Sequence, residues 1–411
     1  MGQGGDVVDR TEAVAWQVVE ALEQAGHEAY LVGGCVRDKL LQRPIYDYDI
    51  TTSARPEEVL ALFPHTLPIG MKHGTVTVCE ADLQFEVTTF RTDGEYKDGR
   101  RPSEVVFVRS LLDDLARRDL TINALALGRD GTLHDPFDGQ LDLLEKRIRA
   151  VGDPLLRFEE DALRMLRAIR FAVQLQFVIE EETLQAIREE SYRLRQISRE
   201  RIREEWHKML LSHPDTALDL LRQTDTLRSI FSRPTLAVAR WERAAAWTAL
   251  SPPDLALRYC LIFFAIETDE PRMEKNLQGL KLSTALKREI REQYALQAES
   301  PVDWNDLRWR QLLFTHGYGA IWRKCLLYAV MHDAQRLDYW TALAEEHRKR
   351  QPIWGTSDLA LTGLDLIACG IEEGPHVGQW LKRLAQAVLQ DPSSNDSQTL
   401  LQLVQSGQVV E

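Results

Sequence analysis

The chain has 411 residues, room for two to four domains with a core each. Its 44% hydrophobic and 27% charged content is that of a soluble globular protein, which excludes a disordered or fibrous chain. The net charge of −13 speaks against a nucleic-acid partner by its sum alone. A local field can oppose that sum, because residues 193–203 (RLRQISRERIR) hold five arginines and one glutamate.

Other classes fall away on simple grounds. Residues 259–266 (YCLIFFAI) are the most apolar run, too short to cross a bilayer and expected to form a buried helix. The opening residues lack a basic segment followed by an apolar one, so no secretory leader is expected. Cysteines at 35, 79, 260, 325 and 369 form no close pair, which argues against a zinc knuckle, a redox CxxC and a disulfide framework. A reducing, cytoplasmic setting is expected.

In chain order, residues 8–27 predict a helix with Val14, Val18, Val19 and Leu22 on its apolar face, ended by Gly26. The run AYLVGG then begins a strand. GTVTVCE, FEVTTFR and EVVFVRS are β-branched strand runs, and RTDGEYKDGRRPSE (91–104) between the last two reads as a mobile loop. After HDPFDG (134–139) strand signals vanish and helical patterns follow to the end. Breaks fall near Pro214, Pro252-Pro253, Pro352 and Pro392. The expected architecture is α+β, with a mixed-sheet head at 1–140 followed by an all-α neck (141–212), body (213–350) and tail (351–411).

Chemistry concentrates in the head. In IYDYDITT (45–52), Asp47 and Asp49 would point to one face of a strand, where two carboxylates repel unless a cation lies between them. Upstream, Gly33-Gly34 follow a strand and precede a helix, a turn that lets backbone amides approach an anion, with Arg37 one turn further on. A phosphate cradle, a cation and two carboxylates describe a metal–nucleotide site. Mg2+ takes one or two carboxylates plus substrate phosphates, and two ions clamp an in-line displacement. A turn-capping role after Pro44 is the plainer alternative for the aspartates. Glu86 is the candidate third carboxylate, or an ordinary exposed strand residue.

LVGGCVRD followed by DYDIT resembles the nucleotidyltransferase signature of the class II tRNA CCA-adding enzymes and their bacterial poly(A) polymerase relatives. RRDLTINALAL (117–127), HDPFDGQLDL (134–143) and EEDALRMLRAIRFAVQLQF (159–177) are similar to that family's later motifs, in the same order. Two positions depart from the pattern. Cys35 stands where alanine is usual, and Gln42 where glycine is common.

The resemblance implies a polymerase β-like head, with Asp47 and Asp49 as catalytic metal ligands and Arg118 as a phosphate or sugar contact. Asp119 and Asn123 would position Arg118 or touch the ribose, and a helix-capping role for Asp119 is equally open. Asp161, Arg164, Arg167 and Arg170 recur every third residue, so they are expected on neighbouring positions of one helix. Cytosine and adenine both pair an exocyclic amine donor with a ring-nitrogen acceptor. Asp161 and Arg164 could therefore read either base and leave uracil or guanine with unpaired groups. Arg167 and Arg170 would meet the triphosphate or the helix's own acids.

The expected reaction is attack of a tRNA 3′-hydroxyl on CTP or ATP, with two Mg2+ ions, no template and no covalent enzyme intermediate. The resemblance implies that a loop such as the one predicted at 91–104 goes with A addition, and that a pI of about 5.4, without a basic extension, goes with tRNA rather than poly(A) synthesis. Residues 193–203 and HRKRQ (347–351) are candidate RNA backbone contacts, and a homodimer is left open. His332-Asp333 and His134-Asp135 would suit a metal phosphohydrolase only with further His and Asp ligands, which the neighbouring sequence lacks.

Overall fold

The computed structural model of the chain describes residues 3–93, 105–232, 234 and 237–406; of the loop expected at 91–104, residues 94–104 lie outside the described residues, while 91–93 form a short strand. The chain divides into two compact units, residues 1–236 with 278–281, and residues 237–277 with 282–411. No described helix is long and apolar enough to cross a membrane.

The first unit opens on α1 (Gln3–Gln24), whose Val14, Val18, Val19 and Leu22 are buried as their spacing predicts. The mixed sheet contains β1 (Ala29–Val32), β2 (Asp49–Thr52), β3 (Thr66–Leu67), β4 (Thr75–Glu80) and β5 (Leu83–Thr89). After β6 (Arg91–Asp93) and β7 (Val105–Phe107), which form a separate ribbon, β8 (Ala126–Leu127) and β9 (Leu133–His134) complete it. Its order is β3-β4-β5-β2-β1-β8-β9, and β2 with β5 is its parallel pair.

Local chemistry sets this register. The β4–β5 hairpin turns on Ala81 and Asp82 at φ 50 and 63, the left-handed pair whose twist matches the strands. Along β5, Phe85, Val87 and Thr89 face the core while Gln84 and Glu86 face out. Burying Phe85 and Val87 contributes about 1.5–3 kcal/mol each, and a one-residue slip would expose both. The same register sets Glu86 beside Asp49 on β2.

Helices then close the unit: α2 (Gly34–Leu40), α3 (Pro56–Leu62), α4 (Leu111–Ala116), α5 (Gly139–Leu144) and α6 (Pro154–Glu160). They continue as α7 (Leu163–Leu175), α8 (Glu181–Glu190) and α9 (Arg199–Leu211), with two further helices at Pro214–Gln223 and Leu227–Ile230. Beyond residue 140 the chain is not purely helical. β10 (Arg147–Ile148) pairs in parallel with β11 (Val178–Ile179), runs too short for any period to show in the sequence.

The expected continuous helix over 159–177 is also broken. Asp161 is extended (φ −143, ψ 103), ending α6, and α7 starts at Leu163. The second unit is helical, and residues 259–266 fall largely in its buried helix Leu255–Ala265. Its longest helix, Asp306–His332, is interrupted at Gly317 (φ 75).

Candidate active site

A cavity of about 860 Å³ in the first unit gathers the ends of β1, β2, α2 and α4 with the facing sides of α7 and α9. Its lining includes Gly33, Gly34, Arg37, Asp47, Asp49, Arg118, Asp119, Asn123, Asp161, Arg164, Arg167 and Arg170. Residues spread over more than 130 positions of sequence thus meet in one space. Glu86 is the exception: it is absent from the lining.

One amide of the Gly-Gly turn is already engaged within the protein. The Gly33 N–H donates to Leu125 O at 3.0 Å, which leaves it unavailable to a phosphate. Its lack of a side chain is what matters. At φ 78, ψ −123 the residue is in a region that L side chains avoid, and a Cβ there would lie 3.1 Å from Arg118 Nη1.

Both carboxylates line the cavity, although Asp47 lies outside the strand expected to carry the pair. Asp49 begins β2, with Asp47 two residues before it. Burial pushes the Asp49 carboxyl above its ordinary value, Arg118 opposes this, and the negative charges of Glu86 and Asp47 add to it. A carboxyl pushed up by burial and by like neighbours is one that a bound cation relieves. No group of three or more His, Cys, Asp or Glu suited to a metal occurs among the described residues, so Asp47 and Asp49 would act as a pair of hard oxygen donors. That set fits an ion completed by substrate phosphates.

Arg37 Nη1 donates to Asn123 Oδ1 at 2.6 Å, and Asn123 Nδ2 to Asp119 Oδ1 at 3.2 Å. Arg167 Nε donates to Asp119 Oδ2 at 2.6 Å. Burial alone would raise the Asp119 carboxyl, but Arg167's charge and hydrogen bond, together with Asn123, hold it well below the usual range. Asp119 therefore anchors two cavity arginines, one directly and one through Asn123. Phe171 packs among three guanidinium groups, those of Arg170, Arg37 and Arg167, at 3.8, 4.8 and 5.7 Å from its ring centre. Arg170 also bonds the buried Glu205 of α9.

The base-reading candidates are held by protein partners. Asp161, in the break before α7, accepts from Leu163 N at 3.0 Å and from Arg201 Nη1 and Nη2 at 3.3 and 2.7 Å. Arg164 is buried, paired with Glu160 and donating to Arg117 O at 2.9 Å. A continuous helix would have aimed Asp161 along α7. The break lets α9 hold it instead.

Sequence reasoning missed Arg201, Lys208, Arg91, Arg117 and His73, all of which line the cavity. Arg201 lay inside the noted arginine run, which was read as an RNA contact. In the structure Arg193 pairs with Glu190 and Glu159, Arg199 bonds Ser229 O, and Arg203 bonds Lys281 O, while Arg195 is exposed. Most of the run is engaged within the unit. In the lining, eight arginines and Lys208 face four aspartates, which suits a polyanion despite the acidic total.

A CCA-adding enzyme of Anoxybacillus flavithermus is 40% identical to this chain over 397 residues, covering 94% of the chain and 95% of that relative. One from Enterococcus faecalis is 40% identical over 402 residues and covers 93% of each. The chain belongs to the family of the CCA-adding enzymes.

Residues 29–149 of this family member match the model of the poly A polymerase head domain. Further models of RNA-binding and tRNA nucleotidyltransferase domains match 176–239 and 254–404. The solved CCA-adding enzyme of Bacillus stearothermophilus, in complex with CTP, superposes with a TM-score of 0.81 at 34% identity, covering 96% of both chains. The α+β head followed by helices is thus the fold of CCA-adding enzymes, and the chain is a nucleotidyltransferase. Nucleotidyltransferases of this family use divalent metal ions.

Proposed function

We propose that this family member adds C, C and A to the 3′ end of tRNA from CTP and ATP, without a nucleic-acid template, releasing pyrophosphate. The observation that carries the reading is one cavity lined by the Asp47–Asp49 pair, a surplus of arginines, and both Asp161 and Arg164. The match to relatives named for CCA addition supports it, as does the likeness to a solved relative holding CTP.

In this reading the 3′-hydroxyl oxygen bonds to the α-phosphorus while the bond to the bridging oxygen of pyrophosphate breaks. Asp47 and Asp49 would hold Mg2+, two ions in the full complex, which supplies charge neutralisation at the phosphates and a more acidic 3′-hydroxyl. Asp161 accepts from the exocyclic amine of the base, and Arg164 donates to the ring nitrogen. Uracil and guanine would set donor against donor and leave buried groups unpaired, a strong penalty. Arg37, Arg118, Arg167 and Arg170 hold the triphosphate, and Asp119 with Asn123 keeps Arg37 and Arg167 in place. Glu86 acts on the charge of Asp49 from outside the cavity. The functional division into head (1–140), neck (141–212), body (213–350) and tail (351–411) belongs to the same reading, with the tail contacting tRNA. Rate comes from positioning and electrostatics, with no side-chain nucleophile.

The test uses a tRNA transcript lacking its 3′ end and labelled CTP, ATP, UTP or GTP, singly and combined. Label from CTP, followed by one A when ATP is added, supports CCA addition. Label from ATP alone on a transcript ending in CC, with none from CTP on any transcript, would instead mark an A-adding enzyme. Extended A tracts on any RNA would mark a poly(A) polymerase.

A further inference from the structure

Asp114, which sequence reading did not single out, is fully buried on α4 and uses both carboxylate oxygens. Oδ1 accepts from Arg117 Nε and Nη2 at 3.0 and 2.7 Å and from Arg91 N at 3.4 Å. Oδ2 accepts from Thr51 Oγ1 at 3.1 Å and from Arg118 Nη2 at 3.3 Å. One buried anion therefore ties two cavity arginines to β2, the strand that carries Asp49, and to the first residue of β6.

Arg118 is held lightly at its other atoms. Its Nε is buried without a hydrogen-bond partner among the described residues, and its Nη1 lies over Gly33. An arginine with an unused buried donor, beside the Asp49 carboxyl and fixed at one end, is poised to meet an anionic oxygen. Burial alone would raise the Asp114 carboxyl, but the charges of Arg118 and Arg117 hold it below the ordinary range, so it stays an anion while pinning them.

We propose that Asp114 is a positioning residue of nucleotidyl transfer, aiming Arg118 at the phosphates and fixing it relative to Asp49. This rests on the function proposed above. Asp114 touches no substrate; it acts through Arg118, and a merely structural role would not depend on that arginine.

The experiment measures kcat and KM for CTP and ATP on tRNA lacking its 3′ end, for wild type, Asp114→Asn, Arg118→Ala and the double variant. Asp114→Asn should lower kcat/KM for both nucleotides by about ten- to hundredfold with the C-over-U ratio unchanged. The double variant should be no worse than Arg118→Ala alone, since both changes remove one unit. Losses that multiply would overturn the proposal. Should Asp114→Asn fail to fold, Thr51→Val removes the strand's hydroxyl while conserving volume. Its few-fold rise in KM should vanish in the Arg118→Ala background, and a rise that persists there would overturn the proposal as well. A wild type that transfers neither nucleotide would sink the underlying function itself, an outcome distinct from either.

Discussion

Arg201→Met tests whether the break before α7 serves base choice. The Arg201–Asp161 pair is partly exposed, with 26% and 14% of the two side chains accessible, so its energy is discounted for solvent. Of the two hydrogen bonds, the one at 2.7 Å is strong and the one at 3.3 Å weak, which makes them worth about one full charge-assisted bond. Taking about 1–2 kcal/mol for that bond after screening, the loss is about five- to thirtyfold. Asp161 would keep the Leu163 N–H and little else to orient it. Discrimination of CTP over UTP, as a ratio of kcat/KM values, should therefore fall by that factor, with Arg201→Lys intermediate because it offers no fork. Single-nucleotide kinetics on tRNA lacking its 3′ end measure the ratio, and a melting curve checks the fold. If all four nucleotides slow equally and the ratio holds, Arg201 has no part in presenting Asp161, and the reasoning fails.

Other consequences follow from charge and backbone. Because the Asp49 carboxyl is raised, kcat/KM should fall on the acid side above the ordinary carboxylate range, and Glu86→Gln, by removing a negative neighbour, should move that limb to lower pH. An abolished reaction in Glu86→Gln would instead mark Glu86 as a ligand. The depressed Asp119 carboxyl contributes stability that is present above roughly pH 4 and is lost as pH falls toward its folded value. Chemical denaturation at several pH values should thus show Asp119→Asn less stable than wild type at neutral pH, with the gap narrowing in acid. A constant gap would contradict the assignment. Gln42, at φ 54, is where the family's glycine would be free of left-handed strain, so Gln42→Gly should raise stability by about 1 kcal/mol in a urea titration. An unchanged or lower midpoint would refute that account.

The residues of the candidate site were largely legible because they lie in contiguous motifs whose local spacing has a chemical meaning. Gly33 to Arg37, Asp47 to Asp49, and Arg118 to Asn123 each join the cavity as short runs. What the sequence misjudged involved partners chosen at a distance. Arg201 belongs to a run that reads as an RNA contact, yet α9 turns it toward Asp161, and Asp114 carries no signal of its own until Thr51 and Arg91 converge on it. The helical reading of Asp161 failed for a related reason, since period-three spacing cannot reveal a break that tertiary contacts stabilise.

By itself, then, the sequence determined the alternation of Val87 and Glu86 on β5, the apolar stripe of α1, and the chemical types gathered at the site. Periodicity and residue chemistry are local properties, readable one segment at a time. Only the tertiary structure decided that Gly33 serves to admit Arg118, that Glu86 stays outside the cavity, and which acid holds which arginine. Those outcomes depend on competition among many charged groups for a few burial sites, and that competition is resolved only when every element is in place.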